Sequence, residues 1–372
     1  MAKIIRLKAF AVAIPLDAPT SFSSRMVHER HYGLVEIEAD DGFKGIGFCY
    51  VGSRGGRLFT TAVNDVLAAQ IIGRDAYEVE GIWQSLYQEA LLHGRAGTVM
   101  RAISAIDTAL WDRNARAANL PLYKFLGAHR TDRVPAYASG GYYLEGKTPR
   151  MLADEAEGFV GQGFKALKIK VGRYPDPGRE EERVAAVRDR IGPDVLLMLD
   201  ANNAWSDLAT ALRFVRRFEP YDPYFIEEPF SPDDIESHAQ LRQCTSMLVA
   251  TGEIEAGRWR FRELLDKGAA QILQVDACVC GGITEFRRIA AMAAGYGVPL
   301  APHWFHDLHA HLVASIPNGQ FVEFFPNSDV LNFRKLVSTQ LDFENGDILL
   351  PQLPGLGFDF VEEEVARYLL PS

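Results

Sequence analysis

Cysteine is scarce in this chain: Cys49, Cys244, Cys278 and Cys280 are spread over 372 residues, and no pair stands in CxxC spacing. A disulfide framework and a zinc clip are therefore excluded; buried free thiols are expected, with Cys278 and Cys280 on one face of a strand. Long apolar runs are missing too. The N-terminus MAKIIRLKAFAVAIPL mixes lysines and an arginine into its apolar residues, so neither a signal peptide nor a membrane span is expected, and the location should be cytoplasmic. Lys/Arg-rich runs are absent and the formal charge is -10, which excludes a continuous positive track for nucleic acid. A nucleotide-binding glycine fingerprint is lacking as well, since Gly45-Ile46-Gly47 has no third glycine at the right offset and falls in a predicted hairpin.

What is present is 48% apolar residues, enough to fill the core of one large domain and a smaller one. Residues 4–50 alternate like strands, and Asp40-Asp41-Gly42 is a turn signal between HYGLVEIEA and FKGIGFCY, so a meander of about three strands is predicted. Residues 57–126 change to helical period, with Ile103, Ile106, Leu110 and Ala117 in phase and Gly127 as the stop. Beyond Val134, short apolar strands alternate with amphipathic helices, which requires a parallel sheet. The polar residues closing these strands are Lys170, Asp200, Glu227, Glu253, Asp276, His303 and Glu323, spaced 20 to 30 residues apart. An eight-fold barrel uses about 30 residues per unit and brings all its strand ends to one mouth. The fold class is thus α/β: a (β/α) barrel of TIM type over residues 126–351, with an α+β capping domain over residues 1–125 joined by residues 352–372.

At that mouth Asp200, Glu227 and Glu253 converge, and their repulsion demands a divalent cation; oxygen-only donors suit Mg²⁺. Lys168 and Lys170 lie two residues apart and share the inward face. About 6.6 Å apart, they repel by about 2.5 kcal/mol at an effective dielectric of ~20, which brings one toward a neutral base if they lie closer to each other than to the acids. His303 can exchange protons if Asp276, on the neighbouring strand, orients its ring. Glu323 either caps a helix or stays protonated and donates to a substrate carboxylate. His306, His309 and His311 read as structural.

Taken together, AISAIDTALWDRNARAANLPLYKFLG, KIK, DAN, EEP, GE, Asp276 with GGIT, His303 and the tail DILLPQLPGLGFDF resemble the enolase superfamily, mandelate racemase subgroup. The resemblance covers nearly the whole chain and implies Mg²⁺ on Asp200, Glu227 and Glu253. It implies Lys170 and His303 as proton carriers on opposite faces, Lys168 beside the substrate carboxylate, Asp276 orienting His303, Glu323 stabilising the enolate and Asn202 touching substrate. Sites of this superfamily take a proton from beside a carboxylate with a Lys or His base and Mg²⁺. The expected reaction is dehydration of an acid sugar, aldonate or aldarate, to its 2-keto-3-deoxy acid. The alternatives are racemisation or epimerisation of a 2-hydroxy acid, a non-catalytic metal-binding barrel, and a glycosidase, which the inward lysines disfavour. Cap loops at residues 16–30 and 51–57 offer Ser21, Ser23, Ser24, Arg25, His28, Ser53 and Arg54 to hydroxyls or a second carboxylate, with Arg25 and His28 singled out for substrate binding. The expected partner is a small carboxylate, and a homo-oligomer is expected by analogy with barrel enzymes of this kind.

Overall fold

The computed structural model describes residues 1–23, 25–327 and 330–371; Ser24 lies outside them. Strands β1 (Ile4–Phe22), β2 (Arg25–Ala39) and β3 (Lys44–Tyr50) form an antiparallel sheet in that order, the expected meander. The long helix Thr98–Ala117 lies on it. Contact is close because Gly45 and Gly47 lack side chains: a Cβ would land on the Ala109 carbonyl at one and the Ala105 carbonyl at the other. These glycines therefore serve helix-on-sheet packing. The helix ends earlier than the sequence pattern suggests. Asn119 adopts φ +54 and Pro121 lacks an N–H, so the ladder breaks, and Gly127 terminates only the short turn Leu122–Phe125 that follows.

The second unit is a closed ring. β4 (Arg133–Ser139), β5 (Ala166–Lys170), β6 (Leu196–Asp200), β7 (Phe225–Glu227), β8 (Leu248–Thr251) and β9 (Ile272–Leu273) pair in parallel. Leu273 then bridges Leu300, Leu300 bridges Gly319, and β10 (Val322–Phe324) pairs back onto β4. A hairpin of β11 (Phe343–Glu344) and β12 (Asp347–Leu349) runs antiparallel to the start of β4.

Parity along each strand explains what faces inward. Ala166, Met198 and Phe225 pack with Tyr137 and Ile272 inside the ring, while Leu167, Ile169, Leu197, Leu199 and Ile226 pack outward against the helices. Lys168 and Lys170 share the parity of Ala166, Asp200 that of Met198, and Glu227 that of Phe225, so all point inward at the C-terminal end. The helices that return the chain begin at fixed points. Thr148 and Asp176 accept N–H groups of the first turn, from Met151 at 3.2 Å and Gly178 at 3.0 Å, and each is followed by a proline.

The cap is bolted to the ring. Asp112 in the long helix accepts from the Ile46 N–H at 2.9 Å and the Leu356 N–H at 2.7 Å, joining the hairpin and the C-terminal segment. Asp107 accepts from the Thr284 hydroxyl at 2.6 Å and its N–H at 2.9 Å, on a barrel helix. No helix among the described residues is long and apolar enough to cross a membrane. Cys49, Cys278 and Cys280 are buried free thiols as expected, whereas Cys244 is exposed. Cys278 and Cys280 lie in a helical turn, Ala277–Cys280, and not in a strand, because the Asp276 carboxylate caps it at the Cys278 N–H, 2.7 Å away.

Replacing Gly47 by alanine forces the helix off the sheet. The variant should lose about 1–3 kcal/mol of stability, read as a lowered denaturation midpoint; an unchanged midpoint would contradict the close-contact account.

Candidate active site

Lys168 stands among acids. Its Nζ donates to Glu227 at 2.6 and 2.7 Å and lies 2.8 Å from Glu323 and 3.6 Å from Asp200, with the Tyr137 ring 5.4 Å away. Lys170 pairs with Asp200, and its Nζ lies 5.2 Å from the Tyr142 ring centroid. Burial opposes the charge on both lysines, but the carboxylates outweigh it: Glu227 and Glu323 hold Lys168 well above its ordinary pKa, and Asp200 holds Lys170 above its own. The expectation that mutual repulsion lowers a lysine pKa is thereby corrected. The Lys168 ammonium has three carboxylates within 3.6 Å, and Lys170 is paired with Asp200.

Glu323 requires a second correction. Burial pushes its pKa up, yet Lys168, His303 and Lys170 together hold it far below the usual carboxylate range, which disfavours the protonated, donating form. It caps no helix either. Its Oε2 accepts the Trp304 N–H at 2.8 Å, and Trp304 sits at φ +70, a left-handed turn immediately after His303. The Asp276 carboxylate lies 3.0 Å from His303 Nδ1, and Glu253 lies 3.6 Å from Nε2. Burial lowers the imidazole's pKa, but Glu253 and the Asp276 hydrogen bond raise it to about 9.

His306, His309 and His311 are buried, and burial holds each below the usual histidine pKa. His309 and His311 make structural bonds: His309 Nε2 accepts the Ala277 N–H at 3.1 Å, and His311 spans the Tyr123 N–H and the Leu356 carbonyl; the His306 ring nitrogens make no hydrogen bond with a described residue, and its ring packs on Phe324.

Asp200 and Glu227 are register partners on β6 and β7, and Glu253 follows the end of β8. Among the described residues no group of three or more His, Cys, Asp or Glu is gathered at metal-binding spacing; Lys168 and Lys170 hold Asp200 and Glu227 instead. The donor chemistry nonetheless fits a hard divalent ion, with carboxylate oxygens on successive strands at one mouth. Negative charge is in surplus there. Burial and Asp200 push Glu227 well above the ordinary range, burial and Glu228 raise Glu253 to about 7, and burial with Asp200 and Glu227 raises Glu228 to about 8.

Above this floor lies a cavity of about 650 Å³, lined from the barrel by Lys170, Asn202, Glu228, Glu253, Asp276 and His303. Asn202 bonds Asp200 through its N–H at 2.9 Å and leaves its own Oδ1 without a partner. From the cap come Arg25, Arg30, Tyr50, Ser53 and Arg101. His28 is exposed and outside the lining, although Val27 and Arg30 on either side of it do line the cavity; it falls where β2 changes register against β1, between Val27, paired with Thr20, and Glu29, paired with Pro15. Ser21, Ser23 and Arg54 lie outside the lining too. Sequence reasoning missed Arg30, Arg101 and Tyr142, which sit in no motif. It also missed Glu228, for which the second glutamate of EEP was an available signal.

Residues 4–127 match the mandelate racemase / muconate lactonizing enzyme N-terminal domain, and residues 151–365 match the enolase C-terminal domain-like family. The L-talarate/galactarate dehydratase of Salmonella typhimurium is 36% identical over 89% of this chain and 80% of its own length. The arabinonate dehydratase of Saccharolobus solfataricus is 33% identical, covering 93% of this chain and 92% of its own. The 3,6-anhydro-alpha-L-galactonate cycloisomerase of Streptomyces coelicolor is 32% identical over 99% of both. The crystal structure of the Salmonella dehydratase with Mg and L-lyxarohydroxamate superposes at a TM-score of 0.92, with 33% identity over 100% of this chain and 93% of that one. Match and superposition run through cap and barrel alike, and the chain belongs to the mandelate racemase/muconate lactonizing enzyme family of the enolase superfamily.

Proposed function

We propose that the chain is a Mg²⁺-dependent dehydratase that converts an acid sugar, an aldonate or aldarate, to its 2-keto-3-deoxy acid. The observation that carries this reading is the pair of proton carriers lining one cavity: Lys170 rests on Asp200, and His303 rests on Asp276 and Glu253. A barrel that only bound metal would need neither. Relatives named as talarate/galactarate, arabinonate and L-rhamnonate dehydratases support the substrate class.

Asp200, Glu227 and Glu253 would hold the ion. A divalent ion held there would offset the acids that retain the Lys170 proton and would supply positive charge to the substrate carboxylate. Lys168, kept cationic by Glu227 and Glu323, adds a fixed positive charge at the same place; one such donor is worth about 3–4 kcal/mol. Lys170, once neutral, takes the α-proton, and the C–H electron pair becomes the enolate. His303, steered by Asp276 at 3.0 Å from its Nδ1, gives its proton to the hydroxyl on the next carbon. That C–O bond breaks, water leaves, and the enol loses its O–H proton as the third carbon gains one, which gives the 2-keto acid.

A library of mono- and diacid sugars with Mg²⁺ should yield 2-keto acid. Deuterium incorporation at the α-carbon from D₂O without loss of water would assign epimerisation instead, a reading that the same two carriers permit; neither outcome across the library removes catalysis from the account. Lys170→Ala and His303→Asn should each lower kcat by about 1000-fold while Mg²⁺ affinity, followed by calorimetry, stays within a few-fold. Full activity in either variant refutes its assigned role. Chelation with EDTA should abolish turnover, and added Mg²⁺ should restore it; turnover in excess chelator would count against the ion.

A further inference from the structure

Arg30 on β2 is a cation that the chemistry above does not use. It is 2% exposed and lines the cavity from the cap side. Its Nε donates to the Val330 carbonyl at 3.0 Å, and its guanidinium carbon lies 4.6 Å from the Trp304 ring centroid and 5.4 Å from that of Tyr50. Its Nη2 has no hydrogen-bond partner. The other buried cations each face a carboxylate: Arg113 has Asp41, Lys168 has Glu227, Lys170 has Asp200, and Arg183 has Glu180 at 3.6 Å. Arg30 makes no ion pair with any described residue. A carbonyl and two ring faces orient a guanidinium without neutralising it, and a buried charge left in that state is costly. Arg25 and Arg101 stand on the same wall, likewise outside any ion pair among the described residues, with Arg101 donating to the Tyr50 carbonyl at 2.8 Å. The cap therefore brings to the cavity three arginines that pair with no carboxylate among the described residues.

We infer that Arg30 binds a second, terminal carboxylate of the substrate, so that the acid sugar taken is an aldarate and not an aldonate. The inference rests on the dehydratase reading and narrows it. One carboxylate of the diacid goes to the floor, where Lys168 stands; the other reaches the cap. A hydroxyl would satisfy the open Nη2 but leave the charge unanswered. A carboxylate does both, and its plane matches the planar guanidinium. The Tyr50 and Trp304 rings fix that guanidinium in advance of binding.

The test compares a diacid with the matched aldonate, in which a hydroxymethyl group replaces the terminal carboxylate. Wild type should favour the diacid in kcat/KM by about 100-fold, since a site built for a charged partner discriminates strongly against its absence. The diacid-to-aldonate ratio should fall about 100-fold in Arg30→Met and less in Arg30→Lys, which keeps charge and stem. A purely structural Arg30 would depress both substrates together and leave the ratio unchanged, which overturns the inference. So does equal use of both acids by wild type, or preference for an aldonate carrying a terminal phosphate; in each case the dehydratase reading survives. If no acid sugar gives a keto acid, that reading fails, and calorimetry of the diacid with Mg²⁺ on Lys170→Ala still decides Arg30. Binding weakened about 100-fold by adding Arg30→Met supports the assignment; absent or unaffected binding refutes it.

Discussion

Two ammonium groups inside a barrel demand an answer in negative charge, and the organisation of the mouth follows from how that answer is supplied. A buried ion without a partner costs several kcal/mol even after relaxation. Lys168 and Lys170 end the interior face of β5, and the register of the parallel ring sets Asp200 level with Lys170 and Glu227 level with Asp200. The acids therefore arrive from the next strands without any special loop. The dependence is mutual, because Asp200 stays ionised in full burial only through Lys170 and Lys168. Neither set could occupy this interior alone. The shared surplus of acid over base is what leaves room, chemically, for a divalent ion and a carboxylate ligand.

The cap acts as a fixed wall for the same reason that it packs so closely. Its long helix carries two buried carboxylates that look in opposite directions. Asp107, raised to about 7 by burial, reaches a barrel helix, and Asp112, raised to about 6 by burial, reaches the hairpin and the C-terminal segment. Trp83 adds a bond from its indole N–H to the Gly281 carbonyl at 2.7 Å, just beyond the turn that Asp276 caps. Asp276 is thus fixed from the cap side as well as from its own strand. The arginines of the cap and the acids of the barrel mouth are thus held at a separation set by packing.

Much of this was legible because barrel strands are short and apolar, so a charged residue closing one stands out. Asp200, Glu227, Glu253, Asp276, His303 and Glu323 could be read from spacing alone. Their protonation states could not. Sequence places Lys168 two residues from Lys170 but says nothing of Glu227 and Glu323, 2.6 and 2.8 Å from its Nζ, and those distances reverse the direction of its pKa. The cap loops failed for a geometric reason. β1 and β2 shift register between Pro15 and Thr20, so counting by twos no longer tells which residue faces the barrel. A reading of residues 16–30 as a loop, by polar side chains alone, picks His28 and passes over Arg30, which the structure places on β2. The helix over Thr98–Ala117 was overextended because periodicity persists across Asn119, whose left-handed backbone leaves no trace in hydrophobic pattern.

The turn at Trp304 joins these threads. An aromatic residue in left-handed conformation costs about 1–2 kcal/mol, and such strain persists only where surrounding contacts impose it. Here Glu323 holds the Trp304 N–H, Phe325 packs on the ring at 4.7 Å, and the Arg30 guanidinium covers it. One consequence is that His303 is delivered from the strand end into the cavity with Nδ1 on Asp276 and Nε2 turned toward Glu253. A second is that the charge network extends from floor to wall: Lys168 holds Glu323, Glu323 holds the turn, and the turn presents both the His303 imidazole and the ring on which Arg30 rests. The same backbone strain therefore fixes both where the His303 imidazole sits and where the Arg30 guanidinium rests.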